Sequence, residues 1–299
     1  MRIFYCDHFV LPLPEGHRFP MGKYALLRDR IATSELADEA TMQVPEAASD
    51  PQLHTVHDTD YVRRVRDGLL SEKEIRRTGF PWSPDLVERS RRSVGGTVGA
   101  GRAALEEGVA VNLSGGTHHA FPDRGEGFCV FNDVAVAARV LQREGRVERV
   151  AILDLDVHQG NGTAAIFRED PSVFTLSVHG ADNYPFQKEP SDLDVELPDG
   201  TGDEEYLEAA QTAVREALRA SSPDVAIFLA GADPFSGDRL GRLALTKTGL
   251  EARDRMVFES CAGEGIPVAV AMGGGYAPKV EDSVDIHFST VRTASRFSG

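Results

Sequence analysis

Apolar runs of strand length alternate with helical patterns along most of the chain. VAVNLS (109–114), VERVAILDLD (147–156), VFTLSVH (173–179), DVAIFLAG (224–231) and PVAVAMGG (267–274) are nearly unbroken apolar segments. Such runs predict strands covered on both faces, which is the habit of parallel sheets. Between them, Asp85–Glu107, Asp133–Glu144, Glu204–Ala220 and Thr246–Ala262 carry amphipathic helical spacing. Val280–Phe297 reads as a closing helix, MRIF as a first strand, and the Pro-rich stretch from Leu11 to Pro20 as a loop near the surface. The β-α-β-α order predicts a single three-layer α/β/α domain over residues 1–299, doubly wound about a central, mostly parallel sheet. No repeat, linker or low-complexity segment interrupts it.

Composition narrows the function classes. With 47 acidic against 32 basic residues, the net charge of -15 argues against nucleic-acid binding through a basic surface. It favours cationic partners such as lysine-containing peptides or polyamines, or is simply a solvated acidic surface. Three scattered cysteines, Cys6, Cys129 and Cys261, make neither a disulfide framework nor a thiolate cluster. No stretch approaches the roughly 20 apolar residues of a membrane span. The opening MRIFYCDHFVLPLP meets Asp7 and His8 too early for a signal peptide, so a cytoplasmic location is expected.

Four motifs carry chemistry, and each follows a predicted strand, where open α/β sheets form their ligand crevice. In LDLDVHQGNGT, Asp154, Asp156 and His158 occupy alternate positions at the end of an apolar strand. Three ionisable groups on one face of a buried strand call for a cation or hydrogen-bond partners; the bland alternative is a strand end whose acids face water. Asp233, just past DVAIFLAG, can join Asp156 and His158. Two carboxylates and one imidazole leave a tetrahedral cation one open position, the pattern of a catalytic zinc. Alone, an Asp there would be an ordinary loop cap. LSGGTHHA offers His118 and His119, either surface residues or acid-base groups beside the metal. MGGGYA places Tyr276 after three glycines, as a packed ring in a tight turn or as a neutral donor to a developing oxyanion.

Together LSGGTHHA, GFCVFNDVAVAA, ILDLDVHQGNGT, LSVH, LAGADPFSGD and GGGY resemble the zinc-dependent histone deacetylase family of the arginase/deacetylase superfamily. LPEGHRFPMGKY and HDTDYV resemble its class IV branch and bacterial relatives, which extends the likeness to nearly the whole chain. The resemblance implies the arginase/deacetylase fold, zinc ligated by Asp156, His158 and Asp233, tandem catalytic histidines at His118 and His119, and a carbonyl-polarising tyrosine at Tyr276. It implies that Asp154 buttresses His118 and Asn161 buttresses His119. Gly127, Phe128, Tyr184 and Gly274 are implied substrate-binding positions along a narrow acyl-lysine channel. One potassium ion is implied near Asp154, Asp156, His158, Ser177 and Val178, and a second near Phe167 and Val173.

A carboxylate partner favours imidazolium, whereas an amide leaves imidazole nearer its usual value, so His119 is expected to be the general base and acid and His118 its electrostatic helper. The implied reaction is removal of an acetyl or longer acyl group from lysine side chains of proteins or peptides. Small acylated amines such as acetylpolyamines are the alternative substrates. A two-manganese ureohydrolase would need further Asp and His ligands, and Leu155 stands where arginases carry Ala-His. A non-catalytic acyl-lysine binding module is the remaining rival. Cys129 reads as a small packing residue, and Trp82, in GFPWSPD, as a pocket-rim or packing residue.

Overall fold

A computed structural model describes residues 1–8, 11–38 and 40–299. The strands are β1 (Arg2–Phe4), β2 (Thr41–Gln43), β3 (Val109–Asn112), β4 (Val150–Asp154), β5 (Val173–Gly180), β6 (Leu193–Leu197), β7 (Val225–Gly231) and β8 (Val268–Gly273). They form one sheet in the order β2-β1-β3-β8-β7-β4-β5-β6, parallel at every pairing. The α-helices are α1 (Lys23–Ala32), α2 (Asp50–Leu53), α3 (Thr59–Arg66), α4 (Glu72–Thr78), α5 (Pro84–Glu107), α6 (Asp133–Arg143), α7 (Asn161–Phe167), α8 (Asp203–Ser221), α9 (Lys247–Gly263) and α10 (Val280–Ser295).

Period-two alternation within apolar strands divides the interior into two layers. Ala151, Leu153 and Leu155 face a core shared with α1, α8, α9 and α10, whereas Val150 and Ile152 face one shared with α3, α5 and α6. Both faces of the sheet are thereby covered. Helix starts follow local chemistry: Ser83 caps α5 ahead of Pro84, and Asn132 accepts from the Ala135 amide to cap α6.

The edge strands β2 and β6 and the short helices α1 to α4 lie outside the elements predicted above. TMQ is too short to show a period, and LDVEL is a half-buried strand whose two acids break its apolar run. The predicted strand 147–156 ends at Asp154. The Asp154 carboxylate accepts from the Asp156 amide at 3.1 Å and the Asp156 carboxylate from the His158 amide at 2.9 Å, so side chains replace the ladder and turn the chain. The 11–20 segment is a loop near the surface as expected, but its apolar ends turn inward: Leu11 is buried and the Phe19 ring stands 5.4 Å from that of Phe128. No helix among the described residues is long and apolar enough to cross a membrane.

Candidate active site

The four central, adjacent strands β3, β8, β7 and β4 deliver the four chemical motifs from their carboxyl ends. Asp156, His158 and Asp233 converge there, with candidate ligand atoms all within 4.8 Å of one another. All three are buried, Asp233 completely. His158 Nδ1 lies 3.0 Å from Asp156 Oδ1 and 3.2 Å from Asp233 Oδ2. Asp233 Oδ1 accepts from the Val157 amide, while Oδ2 is buried without a hydrogen-bond partner.

This donor set fits a cation. Burial and the Asp156 charge raise Asp233 above its ordinary value. Burial opposes protonation of His158, yet its hydrogen bond to Asp156 and the close Asp233 carboxylate raise it to about 10. Two carboxylates in a dry site thus draw in a proton as their counter-charge, and a metal ion can take that proton's place.

Each member of the histidine pair is tied back through Nδ1. His118 Nδ1 is 2.6 Å from Asp154 Oδ2, and His119 Nδ1 is 2.7 Å from Asn161 Oδ1. The Asn161 amide donates through Nδ2 to Glu126 Oε1 at 3.0 Å, which points its carbonyl oxygen at His119. Against the effect of burial, the Asp154 charge and hydrogen bond raise His118 to about 9. Burial, followed by the charges of His118 and His158, holds His119 well below its ordinary value.

Tyr276 lines the same cavity. Gly274 has φ +57°, and a side chain there would collide with the Asp233 carboxylate, so the GGGY turn needs glycine. Lys23 donates to the Gly274 carbonyl, and Asp238 accepts from the Tyr276 amide at 2.6 Å. Burial and the nearby Asp233 and Asp156 charges keep the phenol protonated, well above its ordinary pKa.

Phe128 and Tyr184 flank the approach. Gly127 adopts φ +57° where a Cβ would crowd the His119 ring, and Phe128 itself has φ +65°, held as its backbone N–H donates a hydrogen bond to the Thr78 carbonyl at 2.9 Å. An inner cavity of about 70 Å³ and an outer vestibule of about 780 Å³ meet at His119, Phe128, His158 and Tyr276.

The structure thus brings together His118, His119, Asp154, Asp156, His158, Asn161, Asp233, Gly127, Phe128, Tyr184, Gly274 and Tyr276. Ser177, Val178, Phe167 and Val173 line neither cavity; Ser177 pairs in register with Asp154 and contacts His179 Nδ1 at 2.9 Å. Cys129 is buried, and burial drives its thiol well above its usual pKa, the wrong direction for a nucleophile. Trp82 packs over Gly68 and donates to the Val65 carbonyl at 2.7 Å, away from the site. Lys23, Glu126 and Asp238 were missed by motif reading. All three lie in or beside the quoted motifs, Lys23 within LPEGHRFPMGKY, but only the fold brings Lys23 to the glycine turn.

Residues 17–291 match the Histone deacetylase domain family, and the chain belongs to that family of hydrolases. It is 44% identical over 292 residues to an uncharacterized protein of Picosynechococcus sp., covering 98% of this chain and 97% of that one. Against Histone deacetylase 2 of Arabidopsis thaliana it is 31% identical over 292 residues, covering 93% and 76% of the two chains. The crystal structure of the HDA15 HD domain superposes with a TM-score of 0.83 at 24% identity, over 98% of this chain and 90% of that one, and shows the shared arginase/deacetylase fold.

Proposed function

We propose that the protein is a single-zinc deacylase that hydrolyses the side-chain amide of acyl-lysine in peptides or proteins. The observation that carries this reading is the convergence of a buried Asp156–His158–Asp233 set, one carboxylate oxygen of it unpartnered, with His119 and Tyr276 at one channel end. The three side chains would hold the ion, which supplies Lewis acidity and makes water a stronger acid when bound.

The remaining work falls to the chain's own groups. His119 donates through Nδ1 to Asn161, which leaves Nε2 free to take a proton from the attacking water and to return it to the departing amine. Its depressed pKa keeps that nitrogen unprotonated at neutral pH. His118, held protonated by Asp154, contributes positive charge beside the developing oxyanion, and the Tyr276 phenol donates a hydrogen bond to it. Gly127, Phe128 and Tyr184 enclose the stem of the acylated side chain and exclude water.

Any potassium ion near Asp154 and Ser177 would share oxygens already engaged by His118, the Asp156 amide and His179, and no step depends on it. The motifs LPEGHRFPMGKY and HDTDYV support placement in class IV. A turnover screen over acetyl- to myristoyl-lysine peptides and acetylpolyamines tests the proposal. Release of free lysine side chains is expected; failure to cleave every acyl-lysine peptide refutes it.

A further inference from the structure

We propose that the outer vestibule selects acyl-lysines lying in acidic sequence. Five arginines line it, Arg18, Arg76, Arg77, Arg239 and Arg242, against one acid, Asp182. Arg76 pairs with Glu72 at 3.3 Å and Arg242 with Asp199 at 3.2 Å. Arg18, Arg77 and Arg239 are exposed, and no carboxylate among the described residues comes within ion-pairing distance of them. Most other arginines of the chain are neutralised by a partner, as in Arg28–Asp7, Arg91–Asp50 and Arg139–Asp170. A concave basic mouth on a protein of net charge -15 is therefore a local inversion of sign.

Location says which part of the substrate meets this charge. The acyl group must pass inward to His119 and Tyr276, so the vestibule faces the amine side of the scissile bond, where residues flanking the acyl-lysine lie. Inside, Lys23 is spent on the Gly274 and Gly275 carbonyls. Screening at physiological salt acts over about 8 Å, so the mouth's own charge outweighs the distant acidic surface, and a cleft focuses that field. Acidic side chains beside the acyl-lysine gain from it, whereas the free ammonium groups of an acetylpolyamine lose.

This selectivity rests on the deacylase reading, and the test separates the two. The zinc-loaded full chain is assayed on acetyl-lysine peptides identical except for Glu, Gln or Lys at the four flanking positions, and on N-acetylspermidine. The expected Glu-to-Lys ratio of kcat/KM is about tenfold at low salt, from three exposed charges in a high dielectric. It shrinks in 0.5 M salt, where the Debye length is about 4 Å. R18Q/R77Q/R239Q brings the ratio toward one. R215Q/R219Q, exposed on α8 beside the amino ends of β4 and β7, leaves it in place. Hydrolysis without flank dependence, or a ratio that survives the triple variant, overturns the inference alone. No hydrolysis of any peptide overturns the deacylase reading and the inference with it.

Discussion

Asn161 Oδ1 lies 2.7 Å from His119 Nδ1, and this contact decides which nitrogen of the imidazole is available for chemistry. An amide carbonyl can only accept, so the proton sits on Nδ1 and the lone pair on Nε2. His119→Ala should therefore lower kcat on an acetyl-lysine peptide by roughly 10²- to 10⁴-fold with little change in KM. Asn161→Ala, which frees the ring without removing it, should cost less. Steady-state kinetics on both variants checks the order; equal rates in His119→Ala and wild type would remove His119 from the reaction.

Tyr276 is held by its backbone to Asp238 and by the glycine turn that Lys23 anchors. Tyr276→Phe keeps the ring and loses one donor. A fall in kcat of about 10²-fold or more is expected, as for loss of an oxyanion donor, with the folded state unperturbed by circular dichroism.

Arg253 and Asp254 form an ion pair that is almost wholly buried. The Arg253 guanidinium also donates to the Leu155 carbonyl at 3.2 Å and the Gly231 carbonyl at 2.6 Å, bracing the ends of β4 and β7 just before Asp156 and Asp233. Arg253→Met leaves Asp254 charged and uncompensated, at a cost of about 3–5 kcal/mol in urea unfolding. Arg253→Met combined with Asp254→Leu should recover part of that loss; a double variant no more stable than the single would show that the carbonyl contacts dominate.

His57 gives the fold an acid sensitivity of its own. Its Nδ1–H donates to the Phe121 carbonyl at 3.0 Å, and Nε2 accepts from the Asn132 amide at 2.9 Å, so the neutral ring is the one that fits. Burial pushes it down to about 4. The unfolded chain, near 6.5, binds the proton first, so stability is full above that pH and falls as pH drops toward 4, by roughly 3 kcal/mol in all. Urea midpoints between pH 8 and pH 4.5 should fall more steeply for wild type than for His57→Gln.

What was legible in the sequence follows from burial. The central strands, covered on both faces, announce themselves as unbroken apolar runs, and the residues ending them, Asp156, His158, Asp233 and Tyr276, meet because those strands are neighbours. Thr41–Gln43 and Leu193–Leu197 are short and partly exposed at the sheet edges, and carried no such mark. Arg253 and Asp254, fully buried, look in sequence like any solvated pair on a helix. The basic mouth was least legible of all. Its arginines, at 18, 76, 77, 239 and 242, are gathered only by the fold, and the net charge pointed to the opposite sign.

The central claim is that Asp156, His158 and Asp233 hold one zinc ion on which amide hydrolysis depends. Titrating zinc into chelator-stripped protein while following both bound metal and acetyl-lysine hydrolysis tests it most directly. Activity should vanish on stripping, return in proportion to zinc and saturate at one ion per chain, with Asp233→Asn failing to bind or recover. Full turnover in the stripped protein, or recovery only at two manganese ions per chain, would contradict it.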